Sequence, residues 1–399
     1  MKRKIRNHTR QLVLLAALLG ALSLPHVHAQ FTFNSGSTGG YGPMHITTNT
    51  TLDLPPDGIF HCTTITVASN ATLKFTPNTL NTPVYLLAQG DVVIDGTIDV
   101  SGQAGTASSG GAGGPGGFAG GNPGTGGFPA SDGHGPGAGR AGTGLAAGSR
   151  VGTGGYGGVG SLYEIGTNHG STYGSPLLVP LTGGSGGGGR HDGYAGLGGG
   201  GAILLASNTR IHVSGVIVSS GSIRDISACG YGSGGAIRLV SPSVSGGGSL
   251  DARGGSWTGS PTIYYGGAGR IRIDCMDRRA LALNLVPSSV ATIGANMVVF
   301  PPNAPRLDIS QVGTNSIPVP ATAPAFFLLP QGSPTNQTVR VQASNFGAVV
   351  PIRVVLTPDN GPSRSYEAEI DNTTINPAEV TVPVVVPVNV QVHVNAWTR

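Results

Sequence analysis

The sequence predicts an all-β chain: a parallel β-helix with a long glycine-rich corner-loop insertion, followed by a small antiparallel β-sandwich. Three observations predict it. Glycine and proline supply 69 and 29 of the 399 residues, while charged residues make up only 10%. A strand–turn–strand pattern recurs through the first 300 residues, and alternating valine-rich runs fill the C-terminal part. The predicted segments are a signal peptide over 1–29, the β-helix over 30–300 with its insertion over 103–200, a Pro-rich linker over 301–324 and the sandwich-like domain over 325–399.

The recurring pattern is a short apolar strand followed, after nine or ten residues, by G-x-[IL]-x-x-x-G at 96–102, 215–221 and 248–254. Copies that begin at 201, 235 and 269 are each separated by 34 residues. Apolar and polar residues alternate within each copy, which predicts strands with one buried face. Three short strands per coil, repeated in register, describe a parallel β-helix whose coils bury Ile, Leu and Val against one another. A β-sandwich or a propeller is the alternative source of such short strands.

Over about residues 45–295 this pattern resembles the right-handed parallel β-helix superfamily, with its pectate-lyase-like fold. That superfamily includes pectin-active enzymes and many bacterial surface proteins, so the resemblance implies a fold and carries no function by itself. Gly133-His134-Gly135 and Arg270-Ile271-Arg272 are similar to elements of the pectin hydrolases, but the Asn-Thr-Asp and Asp-Asp elements are missing. We therefore assign no catalytic residue and lean against an enzyme, with a polysaccharide lyase or glycoside hydrolase as the alternative.

The glycine-rich insertion is predicted to be one expanded corner loop. Residues 101–200 hold 40 of the 69 glycines, and shorter loops follow Gly221 and Gly254 at the equivalent corner. The period of three in GGA-GGP-GGF over 110–118 suits an extended polyproline-II-like strand. Disorder is the alternative, because burial of the few bulky apolar residues within 103–150 does not offset the entropy of ordering that stretch. An ordered island is expected over 151–181, which is richer in Tyr, Leu and Val.

The N-terminal residues have the composition of a secretory signal peptide. Five basic residues precede an apolar run over 12–24, and Val27-His28-Ala29 fits a cleavage site. An uncleaved anchor is the alternative. Without residues 1–29 the chain holds 17 basic and 18 acidic residues, so its net charge is −1 and it has no basic footprint for nucleic acid. We expect export to the periplasm, the cell surface or the extracellular space, with no membrane span in the mature chain.

Three cysteines follow the signal peptide: Cys62, Cys229 and Cys275. Cys229 and Cys275 flank glycines that are predicted to start stacked strands, which favours a disulfide between them; three free or buried thiols are the alternative. The sequence contains neither a CxxC motif nor a paired Cys/His spacing. We therefore expect no metal and no cofactor.

Stacked corner loops would place their side chains on one surface. The ligand-binding candidates there are Arg190, His191, Asp192, Tyr194, Tyr231, Trp257, Tyr264 and Tyr265. Aromatic faces beside Arg and Asp suit sugar rings, through stacking and hydrogen bonds. The alternative is that these aromatic residues only hold the insertion to the flank. The sequence thus favours a secreted, non-enzymatic structural or adhesive protein that binds polysaccharide or a cell-surface component, or else a purely structural spacer.

Overall fold

The computed structural model describes residues 32–142, 151–161, 168–190, 193–223, 230–259 and 265–399. Phe33–Arg399 form one compact unit, whereas the predicted signal peptide lies outside the described residues. Within the described ranges the regular structure is strand, apart from a short 3₁₀ helix over Ser288–Val290. The all-β prediction is confirmed. None of the described helical structure is long and apolar enough to cross a membrane.

The first 300 residues contribute parallel strands. They are β1 (Gly42–Ile46), β2 (Thr50–Asp53), β3 (Ile59–Val67), β4 (Thr72–Thr76), β5 (Val84–Ala88), β6 (Val92–Ile94), β7 (Thr97–Asp99), β8 (Ala202–Ser207), β9 (Arg210–Val213), β10 (Val216–Val218), β11 (Ala236–Ser245), β12 (Ser249–Asp251), β13 (Arg270–Asp277), β14 (Asn284–Val286) and β15 (Ala291–Gly294). Nine of them form sheet A. The other six form sheet B in the order β14-β12-β10-β7-β4-β2.

Sheet A closes on itself. The two longest strands, β3 and β11, each pair with two shorter strands in succession: β3 with β5 and β6, and β11 with β8 and β9. Because β5 also pairs with β8, and β6 with β9, six parallel strands form a closed barrel. The predicted right-handed β-helix solenoid followed by a sandwich is therefore wrong. Backbone pairing carries β11 beyond the short apolar strand that the repeat predicts, through Pro242 to Ser245.

The 34-residue repeat does set the register of neighbouring strands. Ala202 pairs with Ala236, which pairs in turn with Arg270. In sheet B, Ile98, Ile217 and Leu250 lie side by side on adjacent strands with no exposed surface. Aliphatic side chains from both sheets fill one continuous core, as the alternating pattern predicts.

The C-terminal part forms two antiparallel four-stranded sheets. Their strands are β16 (Arg306–Val312), β17 (Asn315–Ser316), β18 (Phe326–Leu328), β19 (Asn336–Ser344), β20 (Val349–Pro358), β21 (Arg364–Asp371), β22 (Ala378–Val385) and β23 (Gln391–Thr398). The orders are β17-β16-β19-β22 and β18-β23-β20-β21. Alternating valines from both sheets share one hydrophobic core. The first of these strands begins at Arg306, inside the segment predicted as a Pro-rich linker over 301–324.

The described parts of the glycine-rich insertion form no strands, yet their backbones are hydrogen-bonded to one another. The N–H groups of residues 196–201 donate hydrogen bonds in turn to three neighbouring segments, at 118–121, 230–233 and 100–103. Every third N–H group donates to the same segment. This repeat matches the three residues per turn of polyproline II. Since polyproline II has no internal hydrogen bonds, neighbouring segments satisfy these backbone groups.

Residues 183–190 lie at the centre of this glycine array. All eight are buried, and their N–H groups donate to segments 131–134 and 194–200 among others. A Cβ on Gly186, Gly187 or Gly188 would overlap the backbone of a neighbouring segment. The array therefore depends on glycine for close approach of backbones. Disorder was the alternative for residues 103–142, because they bury few bulky apolar side chains. Backbone hydrogen bonds between neighbouring segments order them instead.

Candidate functional site

Arg190 and Tyr194 lie where two segments of the glycine array meet. The Arg190 N–H donates to the carbonyl of Tyr194 over 2.8 Å. The Arg190 guanidinium lies 5.3 Å from the centroid of the Tyr194 ring, within cation–π distance. Arg190 is only 8% exposed, while Tyr194 is half-buried. The ring of Tyr194 is thus held by the cation beside it.

Two more predicted residues pack together. Tyr231 forms a small cluster with Leu197, and the half-buried Trp257 packs against it. Tyr231 is 1% exposed, so its ring supports the cluster and offers no surface to a ligand. Trp257 is the member of this cluster that reaches the surface.

The backbone of Tyr265 is bridged to that of the residue before Trp257. Ser256 and Tyr265 form an antiparallel bridge, and the carbonyl of Tyr265 accepts a hydrogen bond of 2.8 Å from the Ser161 N–H. The Tyr265 residue remains 37% exposed. Its backbone is fixed while its ring is accessible, which is the arrangement that a sugar-binding aromatic residue needs.

Arg190 contacts Tyr194, whereas Trp257 and Tyr265 lie between β12 and β13. We call Arg190, Tyr194, Trp257 and Tyr265 the aromatic edge. Three further candidates, His191, Asp192 and Tyr264, lie outside the described residues.

The predicted disulfide remains a prediction. Cys229 lies outside the described residues, and the other two cysteines, Cys62 and Cys275, are buried. Burial raises the pKa of the Cys62 thiol to about 11, which keeps it protonated and unreactive at neutral pH.

His134 of the Gly-His-Gly element occupies a position that sequence reasoning missed. Its N–H donates to the carbonyl of Ala119, and its ring meets that of His393 in the C-terminal sheets, with centroids 5.1 Å apart. The Nε2 atom of His393 lies 3.3 Å from Asp359 Oδ1. Burial, and secondarily the charge of His393, lowers the pKa of His134 to about 4. No local sequence signal joins His134 to His393, since the partner lies in another part of the chain.

A shallow groove at the first strands was also missed. Thr38, Tyr41, Asp53, Leu54, Phe60 and His61 are among the residues that line it. The sequence cue that could have indicated this groove is Gly39-Gly40-Tyr41-Gly42. Glycines 39 and 42 adopt φ of +74° and +77°, so the chain turns around an exposed tyrosine.

In the described part of the chain, no three His, Cys, Asp or Glu side chains converge on a position that could hold a metal ion. No protein-family model, curated protein or solved structure matches the chain. The resemblance to pectate-lyase-like proteins was an interpretation of the sequence alone. The closed barrel of sheet A differs from the fold that this resemblance implies.

Proposed function

We propose that this is a secreted, non-enzymatic structural and adhesive protein that acts at a cell surface or in an extracellular matrix and binds polysaccharide along its aromatic edge. The observation that carries the proposal is the accessible ring of Tyr265, whose backbone is bridged to the residue before the half-buried Trp257. Aromatic rings stack on the apolar faces of sugars, and a cation–π contact with Arg190 holds the ring of Tyr194 in place.

Rigidity supports the adhesive role. The backbones behind the aromatic edge are buried and joined by hydrogen bonds at every third residue, so the rings are held in place before a ligand arrives. A preorganised surface loses less conformational entropy on binding than a flexible loop does. A polymer with repeated units binds with higher apparent affinity, because several weak contacts act together.

The test is depletion of the purified protein from solution by insoluble cellulose, chitin, xylan and pectin. We expect depletion by at least one of them, and at least tenfold weaker apparent affinity for Tyr265→Ala. Phe128→Ala is the matched control, because Phe128 is a 66% exposed aromatic residue of the glycine-rich region outside the aromatic edge. Equal loss in both variants, or no depletion by any polymer, contradicts the binding proposal. Release of new sugar ends from the depleting polymer contradicts the non-enzymatic part.

A purely structural spacer is the second candidate, and the burial of Tyr231 favours it. Tyr231 is 1% exposed and packs with Leu197 under Trp257, so these rings also fasten the glycine array. A spacer predicts no depletion by any polysaccharide, together with a marked loss of stability in Trp257→Ala. The same set of variants therefore separates the two functions.

A further inference from the structure

The groove at the N-terminal strands has an aromatic wall. Tyr41 and Phe60 meet edge to face, with centroids 5.5 Å apart and an interplanar angle of 84°. Phe60 is 4% exposed and also touches the ring of Phe75, whereas Tyr41 is 49% exposed. One aromatic ring is therefore anchored in the core and supports a second ring that faces solvent.

The backbone of Tyr41 is fixed. Its N–H donates to the carbonyl of His61 over 2.8 Å, and the Gly42 N–H closes a turn onto the Gly39 carbonyl over 2.9 Å. Both glycines have positive φ, which other residues rarely adopt. The turn thus presents the Tyr41 ring at a defined position.

The groove also offers one hydrogen-bond donor and one acceptor. The Thr38 N–H donates to His61 Nδ1 over 3.2 Å, so the neutral imidazole carries its proton on Nε2. Among the described residues, no hydrogen bond or ion pair engages His61 Nε2 or the exposed Asp53 carboxylate. Both groups line the same groove as Tyr41.

This combination matches the chemistry of a pyranose ring. A sugar has an apolar C–H face, which packs on an aromatic ring, and hydroxyl groups, which both donate and accept hydrogen bonds. We infer that the groove is a second carbohydrate subsite: Tyr41 packs on the sugar face, Asp53 accepts from sugar hydroxyls and His61 Nε2 donates to a sugar oxygen. The inference rests on the proposed function for its class of ligand.

The position of the groove extends the proposed site. Sheet B is parallel, so the carboxyl ends of its strands lie along one edge. Asp53 is the last residue of β2, and the loop that carries Trp257 and Tyr265 follows the last residue of β12, Asp251. These strands are four positions apart in the sheet, which is about 19 Å at the usual strand spacing. A polysaccharide chain of several units can reach both places, whereas a trisaccharide is too short.

The test uses the ring NMR signal of His61, assigned by its loss in His61→Gln. Trisaccharides of β-1,4-linked glucose, xylose and N-acetylglucosamine, and of α-1,4-linked galacturonate, are titrated into the purified protein. We expect a saturable shift of the His61 signal with at least one of them. In Tyr41→Ala and Asp53→Asn the affinity should fall at least tenfold, while Phe128→Ala should leave it unchanged.

The outcomes separate this inference from the proposed function. If no trisaccharide shifts the His61 signal, or if Tyr41→Ala binds as the parent does, the subsite is overturned. Depletion by a polymer that Tyr265→Ala alone abolishes would then leave the aromatic edge standing. Conversely, a His61 shift that Tyr265→Ala does not change, in a protein that no polymer depletes, supports the groove and contradicts the aromatic edge.

Discussion

The imidazole rings of His134 and His393 meet edge to face, with centroids 5.1 Å apart and an interplanar angle of 89°. One ring belongs to the glycine-rich insertion and the other to strand β23 of the C-terminal sheets. Phe118 and Trp397 make a similar contact, with centroids 5.4 Å apart at 89°. The two parts of the chain are therefore joined by paired aromatic rings.

The histidine pair predicts a loss of stability in acid. Burial and then His393 lower the pKa of His134 from 6.5 to about 4. The unfolded chain therefore takes up a proton below about pH 6.5 that the folded chain does not, and stability falls until about pH 4. Asp359 lies beside His393, with its Oδ1 3.3 Å from Nε2 of that ring.

We expect the free energy of unfolding to fall by about 2 kcal/mol more between pH 7 and pH 4.5 in the parent than in His134→Gln. Urea unfolding across this pH range measures the difference. His45→Gln is the control, because His45 is exposed on β1 and should keep the parent's pH dependence. An unchanged pH dependence in His134→Gln contradicts the assignment.

The glycine array predicts a sharp contrast between two substitutions. A Cβ at Gly187 would overlap the carbonyl of Gly230, whereas a Cβ at Gly158 would lie 3.5 Å from its nearest neighbours, at ordinary contact distance. Neither glycine has a positive φ, so only the space differs. We expect Gly187→Ala to cost about 3 kcal/mol or more and Gly158→Ala less than about 1 kcal/mol. Thermal unfolding of both variants checks this, and similar melting temperatures would refute the close-packed array.

Asp132 links the insertion to the β20–β21 connection. Its Oδ2 accepts hydrogen bonds from the N–H and Oγ of Ser363, at 3.0 and 2.6 Å, while Oδ1 accepts from the Ala141 N–H at 2.7 Å. Asp132 is 3% exposed, so its removal leaves buried donors without an acceptor. We expect Asp132→Ala to lower stability by about 2–4 kcal/mol and Asp132→Asn, which keeps one oxygen, by less. Amide hydrogen exchange at Ser363 should rise in Asp132→Ala; unchanged exchange would argue against the link.

A buried charge cluster predicts the largest electrostatic effect. Asp274 has no exposed surface and accepts from Arg238 Nη2 at 3.2 Å and from Arg272 Nη2 at 2.6 Å. Arg238, which is also fully buried, donates to the carbonyls of Asn296 and Val298 as well. Removing the carboxylate charge leaves two guanidinium groups uncompensated, so Asp274→Asn should cost about 3–5 kcal/mol.

The exposed pair Asp277–Arg279 provides the control for this cluster. Its Oδ2–Nη2 distance of 2.8 Å lies between the two buried distances, but the Arg279 side chain is 90% exposed. Asp277→Asn should therefore change the unfolding midpoint very little. Equal losses in Asp274→Asn and Asp277→Asn would show that burial does not govern these pairs.

The sequence predicted a good part of the parallel region. The 34-residue spacing placed Ala202, Ala236 and Arg270 in one register because alternating apolar residues must share a buried face. The valine-rich alternation of the C-terminal part likewise predicted strands with one buried face, as in β19 and β20.

The candidate site was predicted as a set of aromatic residues beside Arg190, His191 and Asp192. The spacing of the loops identified Tyr194, Tyr231, Trp257 and Tyr265, but not that Tyr231 is buried while Tyr265 is exposed. Burial depends on which segment covers each ring, and Leu197 reaches Tyr231 only after the insertion folds back. The groove around Tyr41 was missed because Tyr41 meets His61 only where β1 pairs with β3.

By itself the sequence determined strands, their periodic register and the need for glycine where backbones approach. These properties depend on residues near one another along the chain, through side-chain alternation and steric limits on φ and ψ. Only the tertiary structure decided that β3 and β11 each pair with two shorter strands in succession and close a barrel, and that His134 meets His393. Both depend on where distant segments meet, and no local pattern of apolar and polar residues encodes that meeting.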